Sequence, residues 1–202
     1  MTLEPGKIYG LLGENGVGKS TLLEAVASVL GFNAEGGSRN FRFSTRNTTS
    51  RLQEYLTPIR GSRFAQDGFF LRAETFYNAA SYLDEAGESH NYGGSLHECS
   101  HGESFLALVE NRFWGNGLYL LDEPENSMSP AFQLRLRELL ETSARYLGCQ
   151  LVIATHSPFL LSMEGARIYD LDASPVEIRS WWELENVRTY YEFFEENRKL
   201  FR

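Results

Sequence analysis

One stretch, Gly13-Glu14-Asn15-Gly16-Val17-Gly18-Lys19-Ser20-Thr21, constrains this chain more than any other: it fits G-x-x-x-x-G-K-[ST] between an apolar run and a helical one. Ahead of it, Lys7 to Leu12 (KIYGLL) reads as a buried strand. Behind it, Leu22, Leu23, Val26 and Leu30 recur at helical spacing over residues 20–30, and Gly31 supplies a stop. Glycines let successive backbone N–H groups turn inward around a phosphate, at the positive end of the next helix. Residues Gly13 to Thr21 are therefore read as the phosphate cradle of a nucleotide, with Lys19 reaching the β- and γ-phosphates and the Ser20 hydroxyl placed to ligate Mg²⁺.

The remaining pattern predicts short apolar strands alternating with helices. Residues 33–67, rich in Gly, Ser, Asn and Arg, are expected as loops with a short helix around 50–56. GFFLR (68–72) reads as a strand, 74–84 as a helix, 85–95 as a polar loop and 103–113 as a helix. GLYLL (117–121) is an apolar strand. Ser129-Pro130 starts a helix with a cap and a first-turn proline; Phe132, Leu136, Leu139, Leu140, Ser143 and Leu147 keep one face until Gly148 ends it. QLVIA (150–154) is another buried strand, and weaker strands at 167–171 and 175–180 follow. A final helix starts near 183, with Leu184, Val187, Tyr191 and Phe194 on one side. Such alternation implies an α/β fold, a mostly parallel sheet flanked by helices, of the P-loop NTPase kind. A length of 202 residues suits one domain, 1–202, with a small helical and loop insert over roughly 33–115.

Composition narrows the setting. Hydrophobic residues make up 42% and charged residues 23%, which excludes a disordered chain. No apolar run is long enough for a membrane span, and the first ten residues lack a signal-peptide layout, so a cytoplasmic protein is expected. Cys99 and Cys149 are too few for a disulfide framework, and no Cys/His cluster suggests zinc. The net charge of −8 excludes a uniformly basic nucleic-acid binder. Between Ser38 and Arg72, however, seven arginines stand against Glu54 and Asp67, a local charge of +5. That segment fits a solvated face, arginines serving the nucleotide, or a docking surface for nucleic acid or an acidic partner.

Three further motifs carry chemistry. In Leu118-Tyr119-Leu120-Leu121-Asp122-Glu123-Pro124-Glu125 an apolar strand ends in adjacent acids, placing both carboxylates at the carboxyl edge of the sheet, where such folds bind ligands. Asp122 is expected to hold Mg²⁺, usually through its water, and Glu123 to polarise the water that attacks the γ-phosphate. His156, in Ile153-Ala154-Thr155-His156-Ser157-Pro158, follows the next strand and can reach the γ-phosphate. In Cys99-Ser100-His101-Gly102-Glu103-Ser104 a hydroxyl and a glycine open a helix able to receive an anion, or Ser100 closes a capping box with Glu103.

Together, in this order, the four elements resemble the ATP-binding cassette superfamily: Walker A, signature, Walker B with its adjoining glutamate, and switch histidine. The resemblance implies a Mg²⁺-dependent ATPase in which two heads sandwich two ATP molecules as a head-to-tail homodimer. Ser100 and Gly102 then contact the γ-phosphate held by the other subunit, and Lys19, Glu123 and His156 serve hydrolysis. Here the signature is SHGES, where transport proteins typically have LSGGQ. ENGVGKST, DEPENSMSP and ATHSPFLL look more like the RecF, SMC and related repair-type ATPases than like transporter cassettes, whose switch is usually THD. GFNAEGGSRNFRFSTR, GFFLRAETF, SLHECSHGESFLAL and GLYLLDEPE are similar to a family of short, stand-alone bacterial proteins known only as predicted ATPases; that likeness runs along most of the chain.

There are departures. Lys19 and Ser100 are 81 residues apart without heptads, so the long coiled coil of SMC-type heads is not expected. Only twelve residues precede Gly13, so the strand pair and adenine-stacking aromatic that cassettes usually place upstream are expected to be missing or supplied elsewhere, and Tyr9 is too close to the loop to replace them. By position, Glu74 in GFFLRAETF is the candidate to approach Mg²⁺ or its water, against an ordinary helix-starting glutamate; Met128-Ser129 falls where cassettes place a loop crossing the dimer interface, so Asn126 and Ser127 are expected to touch the partner head. The expected client is a nucleic acid or a protein, in repair or defence. Alternatives are the ATP-binding subunit of a membrane transporter, a non-hydrolysing module in which ATP glues partners together, and a small-molecule kinase.

Overall fold

Why the phosphate loop sits where it does follows from the sheet. A computed structural model describes residues 2–34, 36–38, 51–61, 64–65, 67–73, 101–113 and 115–201. Among the described residues, six strands pair in the order β2-β3-β4-β1-β5-β6, where β1 is Ile8–Leu12, β2 Gly68–Arg72, β3 Leu118–Asp122, β4 Gln150–Ala154, β5 Arg167–Asp170 and β6 Glu177–Arg179. All pairings are parallel except that of β5 with β6. The mostly parallel α/β sheet expected from the strand–helix alternation is thus observed. Parallel strands need crossovers, and helices α1 (Lys19–Leu30), α2 (His101–Arg112) and α3 (Pro130–Leu147) cover the faces.

Period-two alternation sends each strand's side chains into two cores. Tyr9 and Leu11 of β1, Phe70 of β2, Leu118 and Leu120 of β3, and Val152 and Ala154 of β4 pack with Leu23 and Ala27 of α1. Their neighbours Phe69, Leu71, Tyr119, Leu121, Leu151 and Ile153 pack with Phe105 and Leu108 of α2 and with Leu136 and Leu140 of α3. Both faces are therefore buried, as continuous apolar strands require. Tyr9 is fully buried among these residues, its hydroxyl accepting from the Glu4 N–H, so it is not available to stack on a base. Burial raises its phenol above the ordinary pKa.

Local signals set the element ends. Ser129 caps α3, its hydroxyl accepting from the Phe132 N–H, Pro130 fills the first turn, and Gly148 closes the helix with φ 71°. The same cap-then-proline pair at Ser157-Pro158 starts a one-turn helix, α4 (Pro158–Leu161), in a stretch to which the sequence pattern assigns no element. The last helix, α5 (Glu185–Glu196), follows a 3₁₀ turn at Trp181–Glu183. Of the face expected to be covered, Leu184 and Val187 are buried against Leu12, Leu161 and Ile168, but Tyr191 and Phe194 are exposed. That small core ends after the first turn, and periodicity alone cannot say how far a neighbour extends. The helix expected at 74–84, the loop at 85–95, Glu74, Cys99 and Ser100 lie outside the described residues. Among the described residues, no helix is long and apolar enough to cross a membrane.

Candidate functional site

Parallel pairing brings the carboxyl ends of five strands to one edge. Arg72 of β2 stands in register with Asp122 of β3, Asp122 with Ala154 of β4, Ala154 with Leu11 of β1, and Leu12 with Asp170 of β5. The segments after these strands therefore converge: the loop 13–18, the acids 122–125, the turn 155–157 and Asp172. Backbone bonds lock them, with the Glu123 N–H donating to Ala154 O at 2.9 Å and the Thr155 N–H to Leu11 O at 3.2 Å.

The loop has the shape of an anion cradle. Gly16 and Gly18 adopt φ 92° and 105°, which a side chain would strain, and among the described residues no heavy atom outside their chain neighbours lies within 4 Å of where their Cβ atoms would stand. Residues Glu14 to Val17 are exposed, whereas Lys19 is 4% exposed. Its ammonium donates to Gly13 O at 2.7 Å and to Glu14 O at 3.2 Å, folding back over the loop. Thr21 follows, exposed, in the first turn of α1.

Ser20 Oγ donates to Asp122 Oδ1 at 2.9 Å. A hydroxyl and a carboxylate side by side are the hard oxygen donors that suit Mg²⁺, which keeps several waters and takes few protein ligands. Asp122 is nearly buried, and its other oxygen lies 3.5 Å from Arg72 Nε; Arg72 also reaches Glu24 Oε2 at 3.2 Å. Glu123 sits at φ 50°, a left-handed backbone that turns its carboxyl off the strand line, and its Oε2 accepts from Asn126 Nδ2 at 2.9 Å. Ser127 is also left-handed, at φ 64°, and both Asn126 and Ser127 are exposed. His156 Nε2 is buried and, among the described residues, makes no hydrogen bond. An orphaned ring nitrogen at this edge fits a residue whose partner is a ligand.

Of the residues the sequence singled out, the structure brings together the loop 13–21, Asp122, Glu123 and His156. Gly102 lies elsewhere, buried in the first turn of α2, where a Cβ would stand 3.3 Å from the Phe132 ring. Three contributors had been missed. Arg72 had been counted only in the arginine-rich segment. Asp172 receives the Glu14 N–H on its two oxygens at 3.0 and 2.9 Å, anchoring the loop from β5. Glu125 accepts the backbone N–H groups of His156 at 2.7 Å and Ser157 at 3.1 Å. Glu125 was in view within DEPE; nothing local marked the other two.

A parallel sheet with a glycine-lysine loop after its central strand, a Ser–Asp pair beside it and an acid and a histidine at the same edge defines a P-loop nucleotide-binding domain. Its family is also shown. The model described as ABC transporter matches residues 1–126, and the chain belongs to this family of ATP-binding cassette domains. A second model, described as an AAA domain with AbiEii toxin and Type IV TA system, matches residues 95–162. Similar curated proteins include the zinc import ATP-binding protein ZnuC of Yersinia pestis bv. Antiqua (strain Antiqua), 29% identical over 169 residues that cover 80% of this chain and 63% of the relative. The ZnuC of Vibrio vulnificus (strain YJ016) is 27% identical over 164 residues, covering 80% of this chain and 61% of that one. The chain thus spans about three fifths of the length of the curated relatives it matches. A solved structure described as an inward-facing metal-chelate type ABC transporter shares the fold, with a TM-score of 0.51 at 19% identity, covering 92% of this chain and 76% of that one.

Proposed function

We propose that this chain binds Mg²⁺–ATP on the loop 13–21 and hydrolyses it within a head-to-tail homodimer. The observation that carries this reading is the convergence of Lys19, the Ser20–Asp122 pair, Glu123 and His156 on one sheet edge. Lys19 and the loop N–H groups hold the phosphates, and Ser20 and Asp122 hold the metal, whose charge offsets that of the phosphate oxygens. Glu123, aimed by its turn and by Asn126, accepts a proton from the attacking water. His156 offers Nε2 to the γ-phosphate, while Ser100 and Gly102 serve the nucleotide held by the other subunit, and Glu74 approaches the metal. Asn126 and Ser127 are exposed at this edge, as a loop that meets the other subunit must be.

Within the family, SHGES and THS support a RecF/SMC-like reading, with a nucleic-acid or protein client. Arg51 and Arg60 of the basic segment are exposed, as a docking surface needs. A transporter subunit is the second reading: the family model and the zinc-import relatives favour it, while the absence of LSGGQ and THD speaks against it. The deciding experiment compares wild type with Glu123→Gln in phosphate release and sedimentation, with and without double-stranded DNA over a salt series. Glu123→Gln should slow release and trap an ATP-bound dimer, and a DNA client should raise wild-type turnover less as salt increases. Unchanged release by the variant without an ATP-dependent dimer refutes the hydrolytic assignment.

A further inference from the structure

The switch histidine is held by its backbone at both sides, and one of the holders is an acid with no role so far. Glu125 lies three residues after Asp122, in the loop that leaves β3, and its Oε1 accepts the His156 N–H at 2.7 Å and the Ser157 N–H at 3.1 Å, across 31 and 32 residues of chain. Two amide donors on one carboxylate oxygen, the shorter at charge-assisted length, make a firm clasp. The carbonyl of His156 accepts from Asn186 Nδ2 at 3.2 Å, so the residue is fixed at its N–H and its C=O while Nε2 has no hydrogen-bond partner among the described residues. A second clasp lies behind the first. Ser157 Oγ donates to Gln133 Oε1 at 2.7 Å, and Gln133 Nε2 donates to Met128 O at 3.0 Å, which returns to the loop that carries Glu125. Met128 in turn donates its N–H to Glu125 O at 2.9 Å, keeping that loop tight.

Glu125 Oε2 is buried and, among the described residues, has no hydrogen-bond partner. A half-satisfied buried carboxylate is costly, and a neutral side chain would fill the place at less cost. What the carboxylate adds is reach and charge toward the two amides that set where the imidazole stands. The loop that holds Glu123 is thereby coupled to the turn that holds His156, so the water-activating acid and the γ-phosphate sensor keep a fixed separation.

We propose that Glu125 is a positioning residue for His156: it sets the imidazole against the γ-phosphate and acts on turnover through that histidine. The inference rests on the hydrolytic reading above. The test uses the full chain with saturating Mg²⁺–ATP and the variants Glu125→Ala, Glu125→Gln, Glu125→Asp, His156→Ala and the Glu125→Ala/His156→Ala double variant, with kcat and the ATP Kd measured separately. Misplacing a reacting group by about an ångström costs on the order of 100-fold, so Glu125→Ala should lower kcat by that order and leave Kd within about twofold. Glu125→Gln keeps an oxygen for both amides and should restore kcat to within about threefold of wild type, since only the charge assistance is lost. Glu125→Asp keeps the charge but withdraws the oxygen by one methylene, and should behave as Glu125→Ala does. The double variant should be no slower than His156→Ala alone.

Additive losses in the double variant, a Kd that weakens as much as kcat falls, or full turnover by Glu125→Asp each overturn the proposal. Should Glu125→Ala not fold, the Gln and Asp variants decide by the same criteria. If His156→Ala loses turnover and Glu125→Asp does not, this inference fails and the hydrolytic reading stands. If His156→Ala turns over as wild type does, the histidine's assigned role fails and this inference with it.

Discussion

Arg72→Met is the most informative perturbation of the site's electrostatics. The guanidinium lies 3.2 Å from Glu24 and 3.5 Å from Asp122, and its side chain is 16% exposed against 15% and 7% for the acids. Removing one partner of a buried ion pair costs about 3–5 kcal/mol because the remaining charge stays desolvated. Residual exposure here screens part of that, so the lower end, about 3 kcal/mol, is expected. For a chain of this size each kcal/mol moves Tm by about 2–4 °C, giving a fall of about 6–12 °C without ligand. On the proposed reading, a divalent ion at the Ser20–Asp122 pair then replaces part of the positive charge lost. A tenfold gain in Mg²⁺ affinity is worth about 1.4 kcal/mol, roughly half the deficit. The assay is thermal unfolding of wild type and variant at fixed ADP, titrated with MgCl₂. The two Tm values should converge as Mg²⁺ rises. An unchanged Tm without ligand, or a deficit that Mg²⁺ leaves constant or widens, refutes the sharing of charge between Arg72 and a metal held by the proposed Ser20–Asp122 pair.

Two further outcomes follow from packing. A Cβ at Gly68 would stand 2.0 Å from Leu118 O and 2.8 Å from Phe32 Cζ, so Gly68→Ala must push β2 off β3; a loss of about 3 kcal/mol in urea unfolding is expected, and an unchanged midpoint contradicts this strand pairing. Burial pushes the Cys149 thiol from 9.0 up to about 11, so in a Cys99→Ser background the folded protein should resist a thiol reagent at pH 8 and react only on unfolding. Because the folded pKa is the higher one, the stabilising contribution of Cys149 is complete below about pH 9 and is lost as pH climbs toward 11; Cys149→Ala should flatten stability over that window, and an equally steep profile counts against it.

How much was legible in the sequence depends on how local each cause is. The phosphate loop, the caps at Ser129 and Gly148 and the acids after β3 are set by neighbours a few residues away, and their patterns state them directly. Arg72 is different. Its pairing with Asp122 exists because β2 lies beside β3 in one register, and strand order is not written in either strand's own residues. Asp172 meets Glu14 across 158 residues for the same reason. The Glu125 clasp was half visible, since DEPE could be read, but its recipients lie beyond the next strand. The exposed aromatics of α5 show the reverse failure: amphipathic spacing announces an apolar face, while what covers it depends on where the sheet ends.

The internal bonds of the site also bear on how a nucleotide enters. Lys19 is nearly buried and its ammonium is held by the carbonyls of Gly13 and Glu14, while Ser20 is held by Asp122. A buried cation left unpartnered is costly, so these carbonyls keep Lys19 in place before any phosphate arrives. Carbonyl dipoles are nonetheless weaker partners for an ammonium than a full negative charge, which adds Coulomb attraction to the hydrogen bond. Phosphate oxygens therefore compete for the ammonium on favourable terms while the loop carbonyls remain near enough to take it back. The open space over Gly16 and Gly18 means that the incoming group displaces no side chain of the described residues there. On the proposed reading, the loop is held in its binding shape by its own carbonyls and by Asp172, so affinity is spent on exchanging hydrogen bonds and little on ordering backbone.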